Sequence, residues 1–303
     1  MTLLGPQRRP TLDSVVASLR LAGPAATITA GWQDREPGDD ELSERLGHRD
    51  VNLSLYRRWL DVRERDPEFA AAERQLRAGL AEVQDMYLLR LDYALQAVYA
   101  VQRRTRQHRA SSDALPDAIA AVRELDAAHL RRVSEISLEF YQAWQPHDRP
   151  VIAEHRAGVA RVLADAAVLV VAGGHVGVLS DVLHLFNVAA VLRSPVIAWS
   201  AGAMALTDRI VLFDDRAPQG PGHPEVYGSG LSVLRNLVLL PHARARMLLD
   251  DAPRMAVFAR RFGPARCILL ESGARIDADG DGSCPPDTRV LAEDGSVTSL
   301  EAA

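Results

Sequence analysis

The chain has 303 residues, 48% of them hydrophobic and 25% charged, with a formal net charge of −5. Such a composition belongs to a folded globular protein with room for a large core, in one large domain or two ordinary ones. The mildly acidic balance excludes a global attraction to nucleic acid or to an anionic membrane. Cys267 and Cys284 are too few for a disulfide framework and form no CxxC pair, which points to a reducing compartment. The opening MTLLGPQRRP lacks the long apolar stretch of a signal peptide, and apolar runs such as 166-AAVLVVAGG-174 are too short to span a bilayer. A soluble, cytoplasmic protein is expected.

The chain starts in an α/β rhythm. Residues 2-TLLGP-6 read as a first strand, and 11-TLDSVVASLRLAG-23 as an amphipathic helix with Thr11 and Gly23 as caps. The second strand, 25-AATITAGW-32, ends in small residues. An exposed acidic segment, 33–47, precedes a third strand expected at 51-VNLSLY-56 from its alternation of apolar and polar residues. From there to Trp144 the pattern is helical. Apolar residues recur at three- and four-residue spacing in 80–102 and again in 115–144, with the basic run 103-RRTRQHR-109 between them. This pattern predicts a helical hairpin, 57–145, inserted between a first part, 1–56, and a second part, 146–303, of one α/β domain.

The βα rhythm then resumes. Helix 152–166 leads to strand 167-AVLVVAG-173. Helix 176–192 leads to strand 195-PVIAW-199 and a further helix at 201–207. Continuous apolar strands of this kind suit a parallel sheet covered on both faces. Strands are also expected at 210–213, 237–241, 267–271, 273–276 and 288–300, the last two as hairpin strands around polar, glycine-containing turns.

The junction 196-VIAWSAGAM-204 places Ser200 between a buried strand and a helix, with Ala198 two residues before it and Gly202 two after. Two readings fit. One is a Ser N-cap with small residues for close strand–helix packing. The other is a nucleophile on a sharp turn, where side chains at the −2 and +2 positions would collide unless small, and where helix N–H groups can stabilise an oxyanion. One βα unit upstream, Gly173 and Gly174 end another buried strand, leaving backbone N–H groups uncovered by side chains; they do not fit the GxGxxG fingerprint. In an open parallel sheet such strand ends converge on one crevice. His242 follows the apolar run 237-LVLLP-241, and Glu271 tips 267-CILLE-271. They read as base and orienting acid, or as a loop histidine and a solvated strand end. The chain order Ser–His–Glu is not the Ser–acid–His order of α/β-hydrolases.

The elbow WSAGA, the upstream glycine pair, the order Ser–His–Glu and the segment 241-PHARAR-246 resemble the peptidase E and cyanophycinase family of serine peptidases. The resemblance is best over 160–280, reaches into 1–56 and leaves out the helical insert. It implies a flavodoxin-like, class I glutamine amidotransferase-like α/β fold: a parallel sheet with helices on both faces, here carrying the inserted hairpin. It further implies Ser200 as nucleophile, His242 as general base and Glu271 as its partner. Backbone N–H groups of Ala201 and of Gly173 or Gly174 would bind the oxyanion. Arg244 and Arg246 would meet a substrate carboxylate, or lie as solvated surface arginines. A Ser-His-Glu hydrolase acting on a small peptide or other amide substrate is therefore expected, without metal or other cofactor. Nucleic acid and membrane are not expected partners. An esterase on the same machinery remains open. So does a non-catalytic amidotransferase-like module whose helical insert binds a partner or forms a homodimer.

Three further signals lead elsewhere. The run 277-DADGDG-282 matches half of a calcium loop, but Thr288 stands where the loop needs glutamate, so a polar turn is expected. The basic run 103–109 has no interleaved aromatics and reads as a solvated loop. Cys267 lies within an apolar run and reads as a core residue.

Overall fold

A computed structural model describes residues 1–7, 12–19, 23–105, 113–216 and 222–302. The first half runs β1 (Thr2–Leu4), α1 (Leu12–Leu19), β2 (Ala25–Ile28), a 3₁₀ turn (Ala30–Arg35), α2 (Asp40–Arg45), β3 (Asp50–Asn52), α3 (Leu55–Arg65), α4 (Pro67–Thr105) and α5 (Ala114–Trp144). Then come α6 (Pro150–Asp165), β4 (Val168–Val171), α7 (Val176–Leu185), α8 (Val188–Val191), β5 (Val196–Trp199), α9 (Ala201–Met204), β6 (Ile210–Leu212) and β7 (Glu225–Gly228). The chain closes with β8 (Leu237–Pro241), α10 (Ala243–Arg246), α11 (Ala252–Phe262), β9 (Arg266–Leu270), β10 (Arg275–Asp277), β11 (Arg289–Leu291) and β12 (Val297–Ser299).

Six strands form the central sheet in the order β10-β1-β5-β4-β2-β3, with all neighbours parallel except the β1–β10 pair. Alternation along the strands sorts side chains to two faces. Leu3, Ile28, Leu169, Val171 and Ala198 share one core with α3, α6 and α7. Leu4, Val168, Val170, Ile197 and Trp199 share another with Leu12 and Val15 of α1 and Leu42 of α2. Every residue of β4 and β5 is buried, as strands covered on both sides require.

A second sheet has the order β12-β11-β9-β8, in which only β8 and β9 are parallel. The hairpin of α4 and α5 lies against this region: Tyr87, Leu91 and Val122 share a core with Val238, Leu240 and Leu269. A buried polar cluster fixes the docking. Arg261 of α11, 3% exposed, holds both carboxylate oxygens of Asp126 at 2.7 Å and donates to the Tyr87 hydroxyl at 3.0 Å. Arg261 also donates to the Pro224 carbonyl at 2.6 Å, and the Val226 N–H donates to the Tyr87 hydroxyl at 3.1 Å. One charged group thus satisfies acceptors from α4, α5 and the loop before β7, as a buried ion requires.

Several local expectations are corrected. Residues 51–56 are not one strand: β3 stops at Asn52, Ser54 turns left-handed at φ 49°, and α3 begins at Leu55. The cause is distant in sequence, because the buried Glu36 carboxylate accepts the N–H groups of Tyr56 and Arg57 at 3.0 and 2.8 Å and so caps α3. The helix expected over 176–192 breaks at Asn187, which adopts φ 53° between α7 and α8. Residues 275–277 form no local hairpin but pair with β1 at the other end of the chain, Thr2 opposite Asp277. Residues 289–299 do form a hairpin. The strand β7 carries no strong sequence signal; it pairs with β6 in a small sheet of its own. Residues 106–109 of the basic run lie outside the described residues.

Candidate active site

Ser200 sits at φ 51° and ψ −127°, between β5 and α9. A positive φ is rare for a residue with a Cβ, and this ψ lies far from the left-handed helical well. The neighbouring small residues explain how the turn is tolerated. A Cβ on Gly202 would lie 2.4 Å from the Val171 carbonyl oxygen and 2.5 Å from that of Ala172. Ala198 is fully buried in β5. The β5–α9 turn therefore presses onto the end of β4, and only glycine fits at the second position after the serine.

The glycine pair is built into the same junction. A Cβ on Gly173 would lie 2.9 Å from Ser200 Cβ, and one on Gly174, whose φ is 123°, would lie 2.4 Å from the Gly31 carbonyl oxygen. That same Gly31 oxygen accepts the His175 N–H at 2.8 Å, tying the turn after β4 to the turn after β2. Neither Gly173 nor Gly174 donates its N–H to another backbone group among the described residues.

These turns open onto a cleft of about 350 Å³. It lies at the C-terminal ends of β1, β2, β4, β5 and β8, where a parallel α/β protein collects its ligands. Gly173, Gly174, Ser200 and His242 all line it. His242 arrives from the second sheet rather than the central one. It follows Pro241, which pairs with Leu270, so His242 and Glu271 leave adjacent parallel strands at the same level. His242 adopts φ 57°, and its N–H donates to the Leu270 carbonyl at 3.2 Å. Glu271 Oε1 accepts the Arg244 N–H at 2.8 Å, so this carboxylate holds the α10 turn that carries His242. Glu271 is half-buried and does not line the cleft. The close approach of β1 supports it from behind: a Cβ on Gly5 would overlap the Glu271 carbonyl oxygen.

The remaining expected residues lie further off. Ala201 is buried beneath the cleft as the first residue of α9. Arg244 and Arg246 are exposed and do not line the cleft. Among the described residues the arginine that does is Arg45 of α2, which the sequence reading passed over. Arg45 pairs with Glu41 at 2.6 Å and with Asp13 at 3.4 Å. The hydrogen bond it donates to Glu41 holds its guanidinium even more firmly protonated than usual. Trp32 and Trp199 also line the wall and were passed over. Trp199 ends β5 and Trp32 lies in the 3₁₀ turn that follows β2, and that position beyond a buried strand was the available signal.

Cys267 is buried in β9, and burial pushes its thiol up to about 12, which removes it as a nucleophile at neutral pH. The run 277–282 forms a turn in which Asp281 accepts the Ser283 N–H at 2.9 Å. Among the described residues, no group of three or more His, Cys, Asp or Glu side chains is arranged to hold a metal ion, and no helix is long and apolar enough to cross a membrane.

Fold and site together define a mixed α/β protein whose cleft, at the ends of parallel strands, holds a serine on a strained strand–helix turn. In sequence comparison the chain matches no protein-family model and no curated protein.

Proposed function

We propose that the protein is a serine hydrolase that cleaves an amide bond of a small peptide or related substrate through an acyl-enzyme. The carrying observation is the backbone of Ser200, φ 51° and ψ −127°, in a cleft that His242 also lines. Strain of this kind, at a polar residue facing a cavity, marks functional turns. In this reading Ser200 Oγ attacks the acyl carbon and passes its proton to His242. The C–N bond breaks as His242 returns that proton to the leaving amine. Water then attacks the ester by the same proton route, releasing the carboxylic acid and restoring the serine. Glu271 positions the turn that carries His242. The N–H groups of Gly173 or Gly174 and of Ala201 receive the developing oxyanion. The resemblance to the peptidase E and cyanophycinase family, with its class I glutamine amidotransferase-like arrangement, supports the same assignment, as does the parallel core of the central sheet. A cytoplasmic location and independence from cofactors belong to this reading.

A small fluorophosphonate tests it. The wild type should be labelled on Ser200, and Ser200→Ala should not. His242→Ala should slow labelling by roughly 10²-fold or more. A folded wild type that does not react would sink the hydrolase reading.

One observation favours a second reading, a non-catalytic module with a partner face on the insert. Met86, Leu89 and Tyr93 of α4 are 59, 54 and 66% exposed, and their spacing places them on one helical face. A homodimer through this face would show as a doubled solution mass that Leu89→Glu reduces.

A further inference from the structure

Beyond Ser200 and His242 the wall of the cleft carries the apolar side chains of Trp32, Trp199, Leu12 and Leu42 beside the polar ones of Gln7, Glu41 and Arg45. Two of the chain's four tryptophans therefore stand in one cavity. The rings of the other two are engaged within the protein. Trp59 donates its indole N–H to Glu73 at 2.9 Å and lies between the guanidinium groups of Arg63 and Arg77, at 4.8 and 4.7 Å. Trp144 packs against the rings of Phe69 and Phe140 and under Arg149. Among the described residues, the Trp32 and Trp199 indoles have no hydrogen bond, ring contact or guanidinium contact of this kind. Trp199 is nevertheless only 8% exposed, wedged at the end of β5. Its Cδ1 lies 3.5 Å from the point where a Gly173 Cβ would stand, and Ser200 Cβ lies 2.9 Å from that same point. The pyrrole edge, which bears the N–H, thus adjoins the serine turn.

Among the described residues the lining arginine is Arg45, and it is already matched by Glu41 and Asp13. A ligand carboxylate at Arg45 would have to displace those partners, whereas an aromatic ring would cover indole surface at no electrostatic cost.

Resting on the hydrolase reading, we propose that the cleft selects an acyl group carrying an aromatic side chain. The ring lies against Trp32 and Trp199, and the unpartnered indole N–H groups offer hydrogen bonds to the polar atoms of the acyl unit.

The test separates the ligand class from the chemistry. Calorimetric titration of Ser200→Ala, which cannot turn over, compares N-acetyl-L-phenylalaninamide with N-acetyl-L-aspartic acid amide. Binding of the aromatic amide at least tenfold tighter is expected, with a tenfold loss on adding Trp32→Ala and recovery of most of that loss with Trp32→Phe. Equal or tighter binding of the acidic amide overturns the proposal, and so does an aromatic preference unaffected by Trp32→Ala while circular dichroism reports an intact fold. Fluorophosphonate labelling of the wild type is read in parallel. Labelling without aromatic preference removes the proposal and leaves the hydrolase reading standing; aromatic preference without labelling leaves the pocket and removes the hydrolysis.

Discussion

Ser200 offers a direct measure of how much strain the turn stores, because glycine and alanine at this position separate the backbone from the hydroxyl. At φ 51° and ψ −127° the Cβ of any L-residue crowds its own backbone. Strain of this kind costs about 1–3 kcal/mol. Glycine removes it but adds unfolded-chain entropy worth about 0.5–1 kcal/mol. The net expectation for Ser200→Gly is a gain of about 0.5–2 kcal/mol over Ser200→Ala, which keeps the Cβ and gains nothing from relief. For a chain of this size that corresponds to a melting temperature higher by roughly 1–5 °C. Thermal and urea unfolding of the two variants, at one pH and salt concentration, provide the comparison, and fluorophosphonate labelling should be absent from both. Gln33, at φ 56° and ψ −124° in the turn after β2, is an internal control. It does not line the cleft, and Gln33→Gly should shift stability in the same direction relative to Gln33→Ala. An alanine variant as stable as its glycine counterpart at Ser200 would refute the argument, because the turn would then carry no strain.

Gly202→Ala drives a Cβ into two main-chain carbonyl oxygens of the β4 end, at 2.4 and 2.5 Å, neither of which moves cheaply. A loss of about 1–3 kcal/mol in urea unfolding and slower labelling of Ser200 are expected. Asp126→Ala leaves the buried Arg261 charge without its carboxylate, at a cost of about 3–5 kcal/mol. Hydrogen exchange should localise that loss to α4 and α5, where the hairpin docks. His129, 5% exposed, stacks on Tyr87 with ring centres 4.0 Å apart. Burial holds its imidazole below the ordinary value of 6.5, a shift that the Asp126 carboxylate and the Val226 backbone oppose. The unfolded chain therefore takes up the proton first as pH falls, so stability is intact above pH 6.5 and is lost progressively below it. His129→Phe should flatten that part of the stability–pH curve, measured by urea unfolding between pH 7.5 and 5; an unchanged curve would show that another group is responsible.

Much of the architecture is legible in the sequence because it depends on local patterns. The all-apolar runs at 168–171 and 196–199 specify strands buried on both faces, and the long three- and four-residue periodicity specifies α4 and α5. Composition at one turn is equally local. Ala198, Gly202 and the glycine pair 173–174 announce a junction too crowded for side chains, and in the structure each of these glycines faces a contact that a Cβ would violate. Where the sequence reading fails, a partner far along the chain is responsible. Residues 51–56 alternate like a strand, yet Glu36 caps α3 from twenty residues away in Tyr56 numbering terms. Residues 273–276 read as a local hairpin strand, yet the strand that forms, 275–277, pairs with Thr2–Leu4.

The candidate site divides along the same line. The sequence by itself determines that Ser200, Gly173 and Gly174 end buried strands, since hydrophobic periodicity and small-residue spacing are properties of neighbours in the chain. Only the tertiary structure decides that His242 reaches their cleft from a second sheet, that Glu271 grips the Arg244 N–H, and that Arg45 rather than Arg244 or Arg246 lines the wall. Strand ends say where side chains begin. Which of them share a cavity depends on the order of strands in the sheets and on the helices laid across them, and those are set by burial summed over the whole chain.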